Sequence, residues 1–287
     1  MKRIGIKYLF IFVFLFTGVL SFLMTIGQEY FWLRKNEVEK IKEYNLPATV
    51  ALGRVIESFI KNKIELLGQV GREISKTGIS NGCNFEILKS VLFRNTDILG
   101  IGIVDFRGKL VYYSPEIHKK NIDELSVFFR ERNSLEPQVG DIVVEEKKVF
   151  IPIKVPLITT KTNIRGYIFC EYDVNAIRNI IWNYSPIENI RITLVDRKGR
   201  VISTPFFEKL EMENADFSAT DIYKEAMKKE KGMAYFVSMK DGKKKLGSYY
   251  RTTLGWIVWI AVDINLINTN IMHALRNSFI AFFFFFY

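Results

Sequence analysis

Gly102-Ile-Val-Asp-Phe-Arg-Gly-Lys-Leu-Val-Tyr-Tyr-Ser-Pro115 decides how the chain reads, because its pattern returns as Thr193-Leu-Val-Asp-Arg-Lys-Gly-Arg-Val-Ile-Ser-Thr-Pro205. In each copy a β-branched run ends in Asp, two residues follow, and a Gly stands where a tight hairpin needs positive φ: Asp105 to Gly108, then Asp196 to Gly199. The two aspartates are 91 residues apart. One such turn means little in an antiparallel protein. Here each copy is closed by a second matching strand, Gly166-Tyr-Ile-Phe-Cys-Glu-Tyr-Asp173 and Gly255-Trp-Ile-Val-Trp-Ile-Ala-Val-Asp263, whose final Asp lies 68 and 67 residues beyond the first. Apolar residues at helical spacing follow each closing Asp, which can therefore cap a helix. The expectation is two tandem α+β units of one small type.

Outward from this pair lie two apolar ends. Met1-Lys-Arg-Ile-Gly-Ile-Lys7 places three cations before Tyr8–Ile26, nineteen residues without a charge. At 1.5 Å per residue that run covers roughly 30 Å, the hydrocarbon thickness of a bilayer. The preceding charges put the N-terminus on the cytoplasmic side. A cleaved signal peptide is the other reading; the length of the run and the absence of an A-x-A-like site speak for an anchor. At the far end, Ser278-Phe-Ile-Ala-Phe-Phe-Phe-Phe-Phe-Tyr287 gives about 15 Å of apolar helix, half a bilayer core. It reads as a second span cut partway, with a cytoplasmic output domain to follow, or as an interfacial anchor.

Between the ends, residues 28–78 alternate charges with apolar positions at Val55, Phe59, Leu66, Val70 and Ile74, the pattern of an amphipathic stalk helix. Pro47 predicts two helical pieces rather than one rod. Ser185-Pro186 marks a boundary between units. Pro152 and Pro156 demote part of the strand between Val149 and Leu157 to an edge or a bulge. The division that results is a cytoplasmic N-terminus (1–7), a transmembrane helix (8–27), the stalk (28–78), a membrane-distal unit (79–184), a membrane-proximal unit (185–263), and an exit helix with a truncated second membrane segment (264–287).

Lys plus Arg number 41 against 31 Asp plus Glu. The cations are scattered, with no aromatic-interleaved basic stripe, and nucleic acid is not an expected partner. Two cysteines, Cys83 and Cys170, and two distant histidines offer no metal-ligand spacing, so neither metal nor cofactor is expected; a Cys83–Cys170 bridge stays open. No nucleophile elbow, HExxH or phosphate loop is present, and the chain as given is read as not an enzyme.

The order of these parts resembles the double Cache (dCache) sensor region of bacterial chemoreceptors, histidine kinases and diguanylate cyclases. The residues that carry the likeness are Val104-Asp-x-x-Gly108 with Val111-x-x-Ser-Pro115, the Pro156 strand leading to Gly166 and Asp173, and Tyr249-Tyr-x-x-x-Leu-Gly-Trp256 leading to Asp263. The resemblance implies an α+β, membrane-anchored chain: a long N-terminal stalk helix, two tandem PAS-like (Cache) units with antiparallel sheets, and a helix into a second membrane segment. It implies a homodimer in the cell membrane, its main domain extracytoplasmic, binding a small molecule in the membrane-distal unit. Where amino-acid-binding members carry Tyr-x4-Arg-x-Trp, this chain reads Asn121-x4-Ser126-x-Phe128, so only Phe128 and Asp173 carry over. Arg130 could clamp a ligand carboxylate in bidentate fashion, against a solvated helix face as the plainer reading. Tyr113 could line the pocket or pack in the core, and Asp173 could cap a helix instead. The candidate ligand-binding set is thus Tyr113, Phe128, Arg130 and Asp173. The competing reading is a membrane-anchored protein-interaction module with no small-molecule ligand.

Overall fold

The computed structural model describes residues 6–79, 82–115, 128, 134–145, 148–160, 163–184, 191–204 and 215–285. Helix α1 (Ile6–Thr77) leads into α2 (Cys83–Arg94) and strands β1 (Ile98–Asp105), β2 (Leu110–Ser114), β3 (Gln138–Val139), β4 (Val143–Glu145), β5 (Lys148–Thr160) and β6 (Asn163–Asp173). Helix α3 (Val174–Asn183) connects to β7 (Arg191–Val195) and β8 (Val201–Ser203), then α4 (Asp221–Lys228), β9 (Lys231–Val237), β10 (Lys244–Arg251), β11 (Ile257–Asp263) and α5 (Ile264–Phe285).

The strands form two antiparallel sheets. Their orders are β2-β1-β6-β5-β3, with β4 also on β5, and β8-β7-β11-β10-β9. The two Asp-x-x-Gly hairpins occupy equivalent places, one opening each sheet. Asp105 Oδ1 accepts from the N–H groups of Arg107 and Lys109, both at 2.8 Å, and Asp196 Oδ1 accepts from Lys198 and Arg200 at 2.8 and 2.9 Å. Gly108 and Gly199 adopt φ of 80° and 86°, a region that a Cβ disfavours. The closing aspartates match too: Asp173 Oδ1 accepts from Asn175 N–H at 2.9 Å and Asp263 Oδ1 from Asn265 N–H at 2.8 Å, each capping the helix that leaves its sheet.

Helix α1 is one rod of 72 residues with Pro47 inside it, so the expected division into two pieces is corrected. Proline removes one helical hydrogen bond, but both flanks are held by packing. Leu33, Val38 and Ile41 join Ile267, Ile271 and Leu275 of α5 below it, and Leu52 and Ile56 enter the main core above it. Val70 and Ile74 are buried as expected, but earlier in the helix the stripe runs one residue off: Ile56, Ile60 and Leu67 are buried with Leu52, while Val55 and Leu66 flank it and Phe59 is 40% exposed. The apolar arc is wider than the stripe, and the sheets choose its centre. That stripe is covered within one chain, by β5 and β6 above and β10 and β11 below.

Contact is closest where α1 carries glycine. A Cβ on Gly53 would meet Tyr250 Cδ1 at 2.3 Å, and one on Gly71 would meet Leu157 Cδ2 at 3.0 Å. The prolines of β5 behave as expected of strand prolines: Pro152 falls between the pairings to β4 and β3, and Pro156 lies where only β6 is paired, next to a register shift at Leu157. Cys83 is exposed and Cys170 is buried in β6, and no disulfide joins them.

The two sheets touch through charge. Arg197, in the second Asp-x-x-Gly turn, donates Nε to Asp141 Oδ1 at 2.6 Å and Nη2 to the Val139 carbonyl at 2.9 Å, and Lys198 Nζ lies 2.8 Å from Asp141 Oδ2. Buried Arg178 of α3 donates Nε to the Ile202 carbonyl of β8 at 2.8 Å.

Candidate functional site

Strand alternation divides the first sheet chemically. On the face toward α1, Ile101, Ile103, Ile151, Ile153, Ile168, Cys170 and Tyr172 are buried apolar or aromatic residues. The opposite face carries Val104, Tyr113, Phe150, Tyr167 and Phe169 together with two buried charges, Lys154 and Glu171, 1% and 5% exposed. Registers place these charges near each other: Lys154 pairs with Phe169 and Pro152 with Glu171, so Lys154 and Glu171 are diagonal neighbours across β5 and β6.

Each charge is held. Tyr113 donates its hydroxyl to Glu171 Oε1 at 2.8 Å, and its ring stacks on Phe169 with centroids 6.0 Å apart. Gly100 and Gly102 of β1 make room for both rings, since a Cβ there would lie 2.3 Å from the Tyr113 hydroxyl and 2.6 Å from Phe169. Lys154 Nζ donates to the Phe128 carbonyl at 2.5 Å and sits over the rings of Phe128 and Tyr167, 4.6 and 5.3 Å from their centroids. Aromatic faces attract a desolvated cation.

Burial pushes the Glu171 carboxyl up to about 7; Glu145 adds to that, while the Tyr113 hydroxyl and Lys148 oppose it. A carboxyl poised near neutrality beside a buried ammonium suits recognition of a small polar molecule: Glu171 can accept from a cationic or hydroxyl donor, and Lys154 can pair with an anion. Beside this face a cleft of about 730 Å³ opens, with Phe128, Gly140 and Pro152 on one side and Arg197, Lys198 and Leu254 on the other.

The residues expected from sequence separate. Tyr113 and Phe128 meet in the cluster on this face. Asp173 ends β6, and its carboxylate caps α3. Arg130 lies outside the described residues. Lys154 and Glu171 were missed, although each is a lone charge inside an apolar strand, in Ile153-Lys-Val155 and Cys170-Glu-Tyr172, and that isolation was the available signal.

The described part of α1 from Phe10 to Met24 is apolar and unburied, and it fits a membrane anchor. Among the described residues no group of His, Cys, Asp and Glu could hold a metal ion.

No curated protein sequence matches the chain. Solved structures do. The extracellular domain of rpHK1S-Z16, described as a histidine kinase, is 14% identical, with a TM-score of 0.67 over 79% of this chain and 95% of that one. The ligand-binding domain of the Pseudomonas fluorescens chemoreceptor CtaA, solved with L-isoleucine, is 12% identical, with a TM-score of 0.62 over 82% of this chain and 98% of that one. The ligand-binding domain of the Campylobacter jejuni chemoreceptor Tlp3, solved with L-valine, is 12% identical, with a TM-score of 0.59 over 83% and 98%. At such identities the likeness is one of fold. Cache sensor domains of this kind are extracellular, non-catalytic ligand-binding modules of membrane receptors. The family model described as Cache domain, in its dCache form, matches residues 34–271, most of the length, and the chain therefore belongs to the dCache family.

Proposed function

We propose that this chain is the extracytoplasmic sensing region of a transmembrane signalling receptor, binding a small molecule with a carboxylate and an ammonium group on the Lys154/Glu171 face of the first sheet. In this reading residues 79–184 form the membrane-distal unit and 185–263 the proximal one. Lys154 pairs with the ligand carboxylate, with Arg130 as a second clamp; Glu171, held by Tyr113, accepts from the ammonium; and Phe128 walls the site. Asp173 orients α3 at its edge. The carrying observation is that both buried charges share one sheet face. The amino acids in the CtaA and Tlp3 structures bear the same two groups.

Ligand binding shifts an equilibrium between two arrangements, and α1 and α5 pass that shift through the membrane to an output domain. The N-terminus is cytoplasmic, Tyr8–Ile26 crosses the bilayer, and the end of α5 enters it. The receptor is a homodimer. Because the apolar stripe of α1 is used within the chain, the dimer contact falls lower, near exposed Phe31 and Trp32. Single cysteines along residues 31–46 crosslink between copies if so.

The test of the ligand is a thermal-shift measurement on the full chain in detergent micelles with L-valine, L-isoleucine and other carboxylate-bearing metabolites. A saturable rise in melting temperature is expected for at least one of them, lost in both Lys154→Met and Glu171→Gln. No shift with any compound, from a folded chain, overturns the reading.

A further inference from the structure

The turn joining β9 to β10 reads Val237-Ser-Met-Lys-Asp-Gly-Lys-Lys-Lys245, with four lysines in its last six residues. Met239 through Lys244 are exposed, Met239 by 56%. Lys245 is buried, and its Nζ lies 3.1 Å from Asp241 Oδ2, so the one carboxylate of the turn is answered from inside the fold. Lys243 stands 3.8 Å from Asp263, which also caps α5. Lys240, Lys243 and Lys244 give the exposed tip a positive surface around an apolar side chain.

The position of that tip follows from β10 running alongside α1. Lys244 and Arg34 border one hollow, Ser248 bonds to Thr49, Tyr250 covers Gly53, and the Thr253 N–H reaches Glu57. From Thr49 to Gly53 the helix rises about 6 Å, and from Ser248 to Tyr250 the strand covers about 7 Å. Strand and rod are therefore nearly parallel and in step. Extended in the same direction, the turn passes Lys244 by two or three residues, about 8 Å, toward the apolar end of α1. Arg34 itself lies eight residues beyond Ile26, about 12 Å of helix. Counted from Thr49 opposite Ser248, Lys244 lies about 13 Å and the tip about 21 Å down the strand, level with Arg34 and Lys35, from where the long lysine side chains reach toward the headgroup layer. Arg34 and Lys35 are exposed at the same level, with Glu29 and Glu37 as acidic neighbours, Glu37 lying 3.0 Å from Lys40.

We propose that the Met239–Lys244 tip docks on the outer surface of the bilayer, with its lysines on anionic lipid headgroups and Met239 among them. The inference rests on the reading of Tyr8–Ile26 as a membrane span. A second contact of this kind, beside α1 and α5, would fix the tilt of the second sheet over the membrane.

The test is hydrogen–deuterium exchange on the full chain in nanodiscs of phosphatidylcholine, alone or with phosphatidylglycerol as a third of the lipid. Exchange in the peptide covering 238–245 is expected to slow several-fold in the anionic discs. High salt, which shortens the reach of surface charge, should restore it, as should Lys240→Ser, Lys243→Ser and Lys244→Ser combined. Peptides within 10–26 report the span separately. If they are protected in both lipids while the tip exchanges equally in both, docking is overturned and the receptor reading stands. If they exchange freely, span and docking fall together. If inorganic phosphate in phosphatidylcholine discs slows the tip equally, the lysines form a free-anion site, and docking is again overturned.

Discussion

Thr49 of α1 and Ser248 of β10 share a buried hydrogen bond of 2.7 Å across the seam between helix and second sheet. Thr49 also bonds the Asn45 carbonyl at 2.6 Å, while the other contact of Ser248, to the Ile260 carbonyl, is long at 3.5 Å. Thr49→Val preserves shape and leaves Ser248 poorly satisfied. The expected loss is about 1–2 kcal/mol in urea unfolding of the micelle-bound chain. Adding Ser248→Ala should cost less than the two single changes summed, and full additivity would mean the pair is not coupled.

Glu171 predicts a pH slope. Its folded carboxyl is raised to about 7, with burial as the main cause, so the folded chain binds the proton more tightly than the unfolded one. The stabilisation from the protonated form is present below the ordinary carboxylate range and is lost as pH rises toward 7, by up to roughly 3 kcal/mol. Unfolding midpoints measured between pH 5 and pH 8 should therefore fall with pH, and Glu171→Gln should flatten that part of the curve. A cationic ligand group works in the opposite sense, binding more tightly once Glu171 is ionised.

Gly53→Ala tests the contact between rod and sheet. The added methyl would lie 2.3 Å from Tyr250 Cδ1 and 3.3 Å from Val258 Cγ1, so the buried Tyr250 ring has to move. Overpacking of this kind costs about 1–3 kcal/mol. Tyr250→Leu should recover part of that loss in the double variant, as read by thermal unfolding.

Asp141 joins the sheets with a smaller stake. Burial raises its carboxyl, but hydrogen bonds from Lys198 and Arg197 outweigh this and hold it below the usual range. Arg197 and Lys198 are 48% and 65% exposed, so water and salt screen the pair. Asp141→Asn should cost no more than about 1 kcal/mol in low salt and close to nothing in high salt. Limited proteolysis near residues 139–141 should respond more than the melting temperature does.

What could be read from the chain alone was local. The hairpins at Asp105 and Asp196 and the helix caps at Asp173 and Asp263 each depend on a few consecutive residues, and all have the expected geometry. Pro47 misled because the penalty of a proline is local, whereas the packing that holds the helix on either side of it comes from α5 and the second sheet. Lys154 and Glu171 escaped for a related reason. Alternation along one strand tells which face a residue takes, but only the register of β5 on β6 makes the two charges diagonal neighbours. The Tyr113 hydroxyl has its partner 58 residues further on, a distance over which no spacing rule points.

Gly53 and Gly71, where the two sheets press on α1, are 18 residues apart. Eighteen residues make five whole turns at 3.6 residues each, so both sheets sit on the same side of the cylinder. A single residue inserted between them would swing one sheet about 100° around the axis relative to the other, tearing Asp141 from Arg197. Length in this segment can therefore vary only in steps that keep the angular phase.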